Sequence, residues 1–286
     1  MRTKAIAIAA MISMAAATGC KDKGKESAQK AAQDVEAIAA LVEKDVAEIE
    51  RGLPEGGKKL QEALFKGDAD PRKDPQVVRK ELLRVRREVP DLNIAKSTFF
   101  AVADDQGVAI RNDLEPDVMA GTNLVQVFPE LGKALKGEPW VVTQGSFPGV
   151  TGKDGPDPDW IAAVPLKNEK GAVAGLYVTG WTFRRFAHHL QEVLKSQMQD
   201  ALRASGDTGK LPVFYVGLFD KDGVYMAPLT PPVNEKELAS RDLVGKTAAG
   251  PYQGTANITD RDFGFAAKRT PKLGEGRGVV VLRSEL

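Results

Sequence analysis

A chain of 286 residues, 42% hydrophobic and 28% charged, carries enough apolar material for one large core or two ordinary ones. Forty basic residues against 39 acidic ones leave a net charge of +1, which excludes a broad electrostatic surface for nucleic acid. The single cysteine, Cys20, excludes an intrachain disulfide, and no apolar run after the first twenty residues is long enough to cross a bilayer.

The chain opens with a short positive stretch, Arg2 and Lys4, followed by the apolar run Ala5–Ala17, too short to span a membrane. Ala17-Thr18-Gly19-Cys20 resembles the bacterial lipobox, in which the cysteine is lipidated and becomes the mature N-terminus; Ala17 stands where that motif usually has leucine. The resemblance implies a signal peptide over 1–19, lipidation at Cys20 and a lipidated tether over 20–30. An ordinary secretory signal with an incidental cysteine is the alternative. Removal of Arg2 and Lys4 would turn the formal charge from +1 to −1. Two acyl chains make a stable anchor. By resemblance to Gram-negative lipoproteins, Lys21 beside the cysteine favours the outer membrane, on the periplasmic side of the cell envelope.

Residues 31–90 read as helices. Val35, Ile38, Val42, Val46, Ile49 and Leu53 form one apolar stripe, which Pro54, Gly56 and Gly57 are expected to end. A short helical piece over Lys58–Phe65 and a loop over 67–75 follow. Asp74 then reads as an N-cap with Pro75 at the first helical position. Val78, Leu82, Val85 and Val89 give that helix a buried face, and Pro90 is expected to stop it. Arg79, Lys80, Arg84, Arg86 and Arg87 line its other face, either solvated or available to a partner or lipid.

Thr98–Arg111 reads as strand, tight turn and strand, with Asp104-Asp105-Gln106-Gly107 as the turn. Around Gly223 the chain repeats itself: aligning Gly107 with Gly223 sets Asp104 on Asp220 and Val108 on Val224. The first module, 91–181, continues through an irregular excursion, Glu115–Gly137, to strands at Trp140–Thr143, Trp160–Val164 and Ala172–Trp181. A connecting helix fills 182–209. The second, smaller module, 210–286, repeats the plan, with Asp242-Leu243-Val244 echoing Asn123-Leu124-Val125 and strands near Gly254–Ile258, Phe263–Arg269 and Gly278–Arg283.

Phe99–Val108, Gly121-Thr122-Asn123-Leu124, Ala134-Leu135-Lys136-Gly137, Ala162–Leu166 and Gly171–Leu176 together resemble the Cache family of extracytoplasmic, PAS-like sensor domains. The resemblance covers about Asp74–Leu286, more strongly in the first module. It implies an α+β fold: N-terminal helices, then two mainly antiparallel sheets of about five strands each, joined by a long helix. Family members usually continue into a membrane span and a signalling domain, whereas here only Ser284-Glu285-Leu286 follow Arg283. The arginine-tryptophan-tyrosine cluster of amino-acid-binding members is missing around Trp140, so amino-acid binding is not inherited.

The family's pocket lies between sheet and excursion. Arg111, Trp140, Thr143, Trp160, Tyr177 and Trp181 are the ligand-binding candidates: Arg111 is suited to clamp a carboxylate, and the aromatics to stack on a small organic group. Alternation does not say which face is the pocket, and for any one residue the plainer reading is preferred, with the aromatics as core and Arg111 as exposed. His188 and His189 point about 100° apart on a helix and read as surface residues. Asp154, Asp157 and Asp159, interleaved with prolines, read as a solvated loop. Catalytic, metal and cofactor signatures are absent, so neither an enzyme nor a cofactor is expected. The resemblance implies a lipid-anchored sensor that binds a small organic ligand and signals through a partner protein, envelope or receptor. The alternative is an envelope scaffold with an empty fold, and an envelope hydrolase is a distant third.

Overall fold

The computed structural model describes residues 22–67, 70–96, 99–147, 157–206 and 209–286. The signal peptide, Cys20 and Asp154 lie outside the described residues.

The first helix, α1 (Lys23–Leu64), is 42 residues long, and the expected stripe from Val35 to Leu53 is buried along it. Its ends correct two expectations. The charged stretch read as a tether is helical from Lys23, capped by Asp22, whose side chain accepts from the Lys25 amide at 3.2 Å. Within it Lys30 pairs with Glu285 at 2.9 Å, and just beyond it Asp34 pairs with Arg283 at 2.7 Å, both at the last strand of the chain. Gly264 lets the helix lie directly on the strands near the end of the chain, since a Cβ there would come 1.9 Å from the Ala28 nitrogen.

At the other end, α1 runs through Pro54, Gly56 and Gly57 and takes in the piece expected as separate. A proline and glycines are poor helix residues by local propensity. Packing reverses the outcome. A Cβ on Gly56 would lie 2.7 Å from Leu92 Cδ1 and 3.0 Å from Tyr177 Cε1, so the glycine is where the helix comes closest to its neighbours.

Asp74 caps α2 (Pro75–Glu88) as expected, accepting from the amides of Gln76 and Val77 at 3.1 and 3.2 Å. Pro90 does not simply stop the chain's helical course. Val89 turns extended, and Pro90 opens a one-turn helix, α3 (Pro90–Ile94). The basic face of α2 is largely engaged with acids: Arg84 bridges Glu81 and Glu88, Arg79 meets Glu115 at 3.4 Å, and Arg86 meets buried Asp113 at 3.0 Å.

The first sheet contains β1 (Phe99–Asp104), β2 (Ala109–Asn112), β3 (Val141–Gly145), β4 (Asp159–Lys167) and β5 (Val173–Thr182), in the order β2-β1-β5-β4-β3. Short helices α4 (Leu124–Val127) and α5 (Leu131–Leu135) lie in the excursion. Thr182 caps the connecting helix, α6 (Phe183–Ser205), which Gly206 ends in the left-handed conformation. The second sheet contains β6 (Val213–Phe219), β7 (Val224–Met226), β8 (Tyr252–Ile258), β9 (Arg261–Arg269) and β10 (Gly278–Ser284), in the order β7-β6-β10-β9-β8. Helices α7 (Pro232–Ala239) and α8 (Leu243–Lys246) fill its shorter excursion.

Both sheets are antiparallel throughout and share one strand order, which bears out the α+β plan of two five-stranded sheets. The repeated sequences do the same local work. Asp104 accepts from the Gln106 and Val108 amides, and Asp220 from those of Asp222 and Gly223. Asn123 caps α4 and Asp242 caps α8.

Candidate functional site

Side-chain alternation divides the first sheet into two faces. Phe99, Ile161, Val178, Phe128 and Leu131 pack on the excursion side. There Phe147 meets Phe128 and Phe99 edge-on, at centroid distances of 5.0 and 6.4 Å. Of the six residues selected from sequence, Thr143, paired across from Ile161, shares that face.

Trp160, Tyr177 and Trp181 belong to the opposite core, beneath the helices. Trp160 and Trp181 face each other across β4 and β5 and stack at 4.2 Å; Phe186 also stacks on Trp181, at 4.3 Å. Tyr177 stacks on Phe100 at 5.8 Å. Trp140 is half-buried against the same core. Arg111, opposite Val102, is buried rather than exposed and is claimed by Asp117 at 3.0 Å and by Glu115. The six therefore do not converge on one pocket.

One of them, Trp181, lines a cavity of about 560 Å³ on the helix side. Its other lining residues come from separated parts of the chain: Arg86 on α2, Asn93, Ala95 and Lys96 at the end of α3, Arg185, Phe186, His188 and His189 on α6, and Pro228 after β7. Each wall has a structural cause. Arg86 is fixed by Asp113 and by Phe100, whose ring centroid lies 5.0 Å from the guanidinium carbon. His189 Nε2 is 3.1 Å from buried Asp45 of α1. Among the described residues the indole N–H groups of Trp181 and Trp160 and the Tyr177 hydroxyl are buried without a hydrogen-bond partner.

The cavity sits where the two modules are bolted together. Arg184, next to Arg185, points away into the second module. It makes a forked pair with Glu235 at 2.6 and 2.8 Å and donates to the Met226 carbonyl at 3.3 Å. Phe183 meets Tyr225 edge-on at 5.4 Å. Sequence reasoning missed Arg86, Lys96 and Arg185 as a group, because α2, α3 and α6 meet only in the folded chain. No local pattern marks them: Arg185, His188 and His189 lie on the polar side of the connecting helix.

Near the base of α6, Asp157 accepts from the Arg184 amide at 3.0 Å. Burial, with a smaller contribution from the Asp157 charge, pushes the Asp159 carboxyl up to about 7, against a hydrogen bond from the Phe147 amide. Among the described residues no group of His, Cys, Asp and Glu could hold a metal ion, and no helix is long and apolar enough to cross a membrane.

No protein-family profile and no curated protein matches the chain. Its fold does match solved structures. The extracellular domain assigned to a histidine kinase, vpHK1S-Z8, aligns at TM-score 0.56 and 8% identity over 92% of this chain and 92% of that one. The sensory domain of the Campylobacter jejuni chemoreceptor Tlp3, solved with isoleucine bound, aligns at TM-score 0.51 and 11% identity over 92% and 94%. An extracellular ligand binding receptor from Desulfohalobium retbaense aligns at TM-score 0.46 and 10% identity over 88% of this chain, which spans 39% of that receptor. These neighbours are extracellular sensory and ligand-binding domains. At such identities the likeness is one of fold.

Proposed function

We propose that this chain is an extracytoplasmic sensor that binds a small organic molecule and passes its occupancy to a partner protein, while lipid on Cys20 holds it on the periplasmic side of the outer membrane. The cavity at the module junction carries this reading. Its volume, about 560 Å³, lies within the range of small-molecule sites, and its walls combine aromatic and cationic groups. Because α3, α6 and Pro228 all border it, an occupant that prefers one spacing of these elements would bias the position of α6 against the second module. Arg184 and Glu235 would carry that bias to β7 and α7.

A thermal-shift screen of the full-length protein against carboxylates, amines and nucleobases tests this. Reproducible stabilisation by one class, lost when the cavity is altered, is the expected result. One observation favours a scaffold role instead: Phe99, Phe128 and Phe147 pack the face where the family's pocket was expected. A flat screen together with a protein partner captured by crosslinking in the cell envelope would support that second reading.

A further inference from the structure

Resting on the reading of the junction cavity as the ligand site, we propose that its occupant is a small carboxylate with a short apolar body and no ammonium group. Among the described residues the lining has no acidic side chain. The two carboxylates just behind it are already taken: Asp113 accepts from Arg86 at 3.0 Å and from the Phe100 amide at 2.8 Å, and Asp45 lies 3.1 Å from His189 Nε2. On the rim, Lys96 and Arg185 form no ion pair among the described residues, and both are exposed.

This is a set of donors in search of an acceptor. A carboxylate meets charge-assisted donors there. An ammonium would face Lys96 and Arg185 with no acid to receive it, and a zwitterion would gain at one end what it loses at the other. Phe186, Ala95, Pro228 and Trp181 supply the apolar part of the wall, which an inorganic anion would leave wet. Trp181 is held in that wall by stacking on Trp160 at 4.2 Å and on Phe186 at 4.3 Å.

Four probes that separate charge from body test this on the full-length protein: phenylacetate, phenylalanine, phenethylamine and inorganic phosphate. Phenylacetate is expected to raise Tm and to bind by titration calorimetry, with the other three silent at the same concentration. Arg185→Gln and Lys96→Gln, both at exposed positions, are expected to leave the ligand-free Tm in place and to weaken phenylacetate about tenfold each, the loss of one charge-assisted hydrogen bond. Phenylalanine or phenethylamine binding as well as phenylacetate, with the same sensitivity to Arg185→Gln, overturns the ligand class and leaves the cavity reading standing. Phosphate binding alone overturns the class as well. Phenylacetate binding that ignores both variants places the site elsewhere and overturns both. Silence from all four overturns the class, and the cavity reading then falls only if the wider screen is flat too.

Discussion

The forked pair between Arg184 and Glu235 is predicted to hold the modules together, and its strength can be worked from its surroundings. The Arg184 side chain is 8% exposed and that of Glu235 25% exposed. Removing one member of a mostly buried pair leaves the other desolvated and costs about 3–5 kcal/mol; the partial exposure of Glu235 favours the lower end. Arg184→Met keeps the apolar stem and removes the charge. At roughly 3 kcal/mol, Tm should fall by about 6–12 °C for a protein of this size. Glu235→Gln retains an acceptor for the Met226 amide, now at 3.2 Å from Glu235, and should cost less. The double variant should be less damaged than the two losses summed, by about 1–2 kcal/mol. Urea unfolding measures all three. All three tryptophans, Trp140, Trp160 and Trp181, lie in the first module, so fluorescence follows that half while far-ultraviolet circular dichroism follows both. Arg184→Met should also pull the two transitions apart. Losses that add to within about 0.5 kcal/mol would refute the coupling.

Asp159 makes stability fall as pH rises. Its carboxyl titrates near 7 in the folded chain against about 4 unfolded, so between those values the folded state binds the extra proton, and up to about 4 kcal/mol is lost across that window. Asp159→Asn should flatten the slope and stabilise the protein at pH 8 relative to the parent, as urea melts at pH 5 and 8 would show; an unchanged slope counts against a buried carboxyl. Gly56→Ala should destabilise by about 1–3 kcal/mol in thermal unfolding, because contact with Leu92 and Tyr177 outweighs the gain of about 1 kcal/mol in helix propensity; a rise in Tm would show the contact to be soft. Cys20→Ser should move the protein out of the membrane fraction, and retention there would mean that lipid on Cys20 is not the tether.

What could be read from sequence was what local chemistry decides. Asp104, Asp220, Asn123 and Asp242 each bind backbone amides within a few residues of themselves, so their turns and caps announce themselves. Thr182 and Gly206 bracket α6 for the same reason. What could not be read was settled by distant neighbours. Gly56 looks like a helix end until Leu92 and Tyr177 are brought against it. Trp160 and Ile161 alternate as a strand requires, but only the placement of α1 and α6 says which of them faces the helices. Lys96 and Arg185 are far apart in the chain, and nothing near either marks it as half of a pair.

The two copies of the turn are used differently in the two halves. In the first, Asp104 serves its own hairpin, and its Oδ1 is occupied by the Gln106 and Val108 amides. In the second, Asp220 Oδ1 likewise holds the Asp222 and Gly223 amides and also receives the Tyr225 hydroxyl at 3.3 Å. Its other oxygen, Oδ2, takes Gln144 of the first module at 2.6 Å. In the second copy the motif thus also serves as a joint. With Arg184 and Glu235 it gives the modules two polar attachments, on residues that flank the base of α6, while α1 runs along both sheets. A body fastened in this way resists free rotation of one module on the other. A signal from the junction cavity is therefore expected as a small shift of α6 along its packing surfaces, read by whatever touches the second module, rather than as an opening of the two halves.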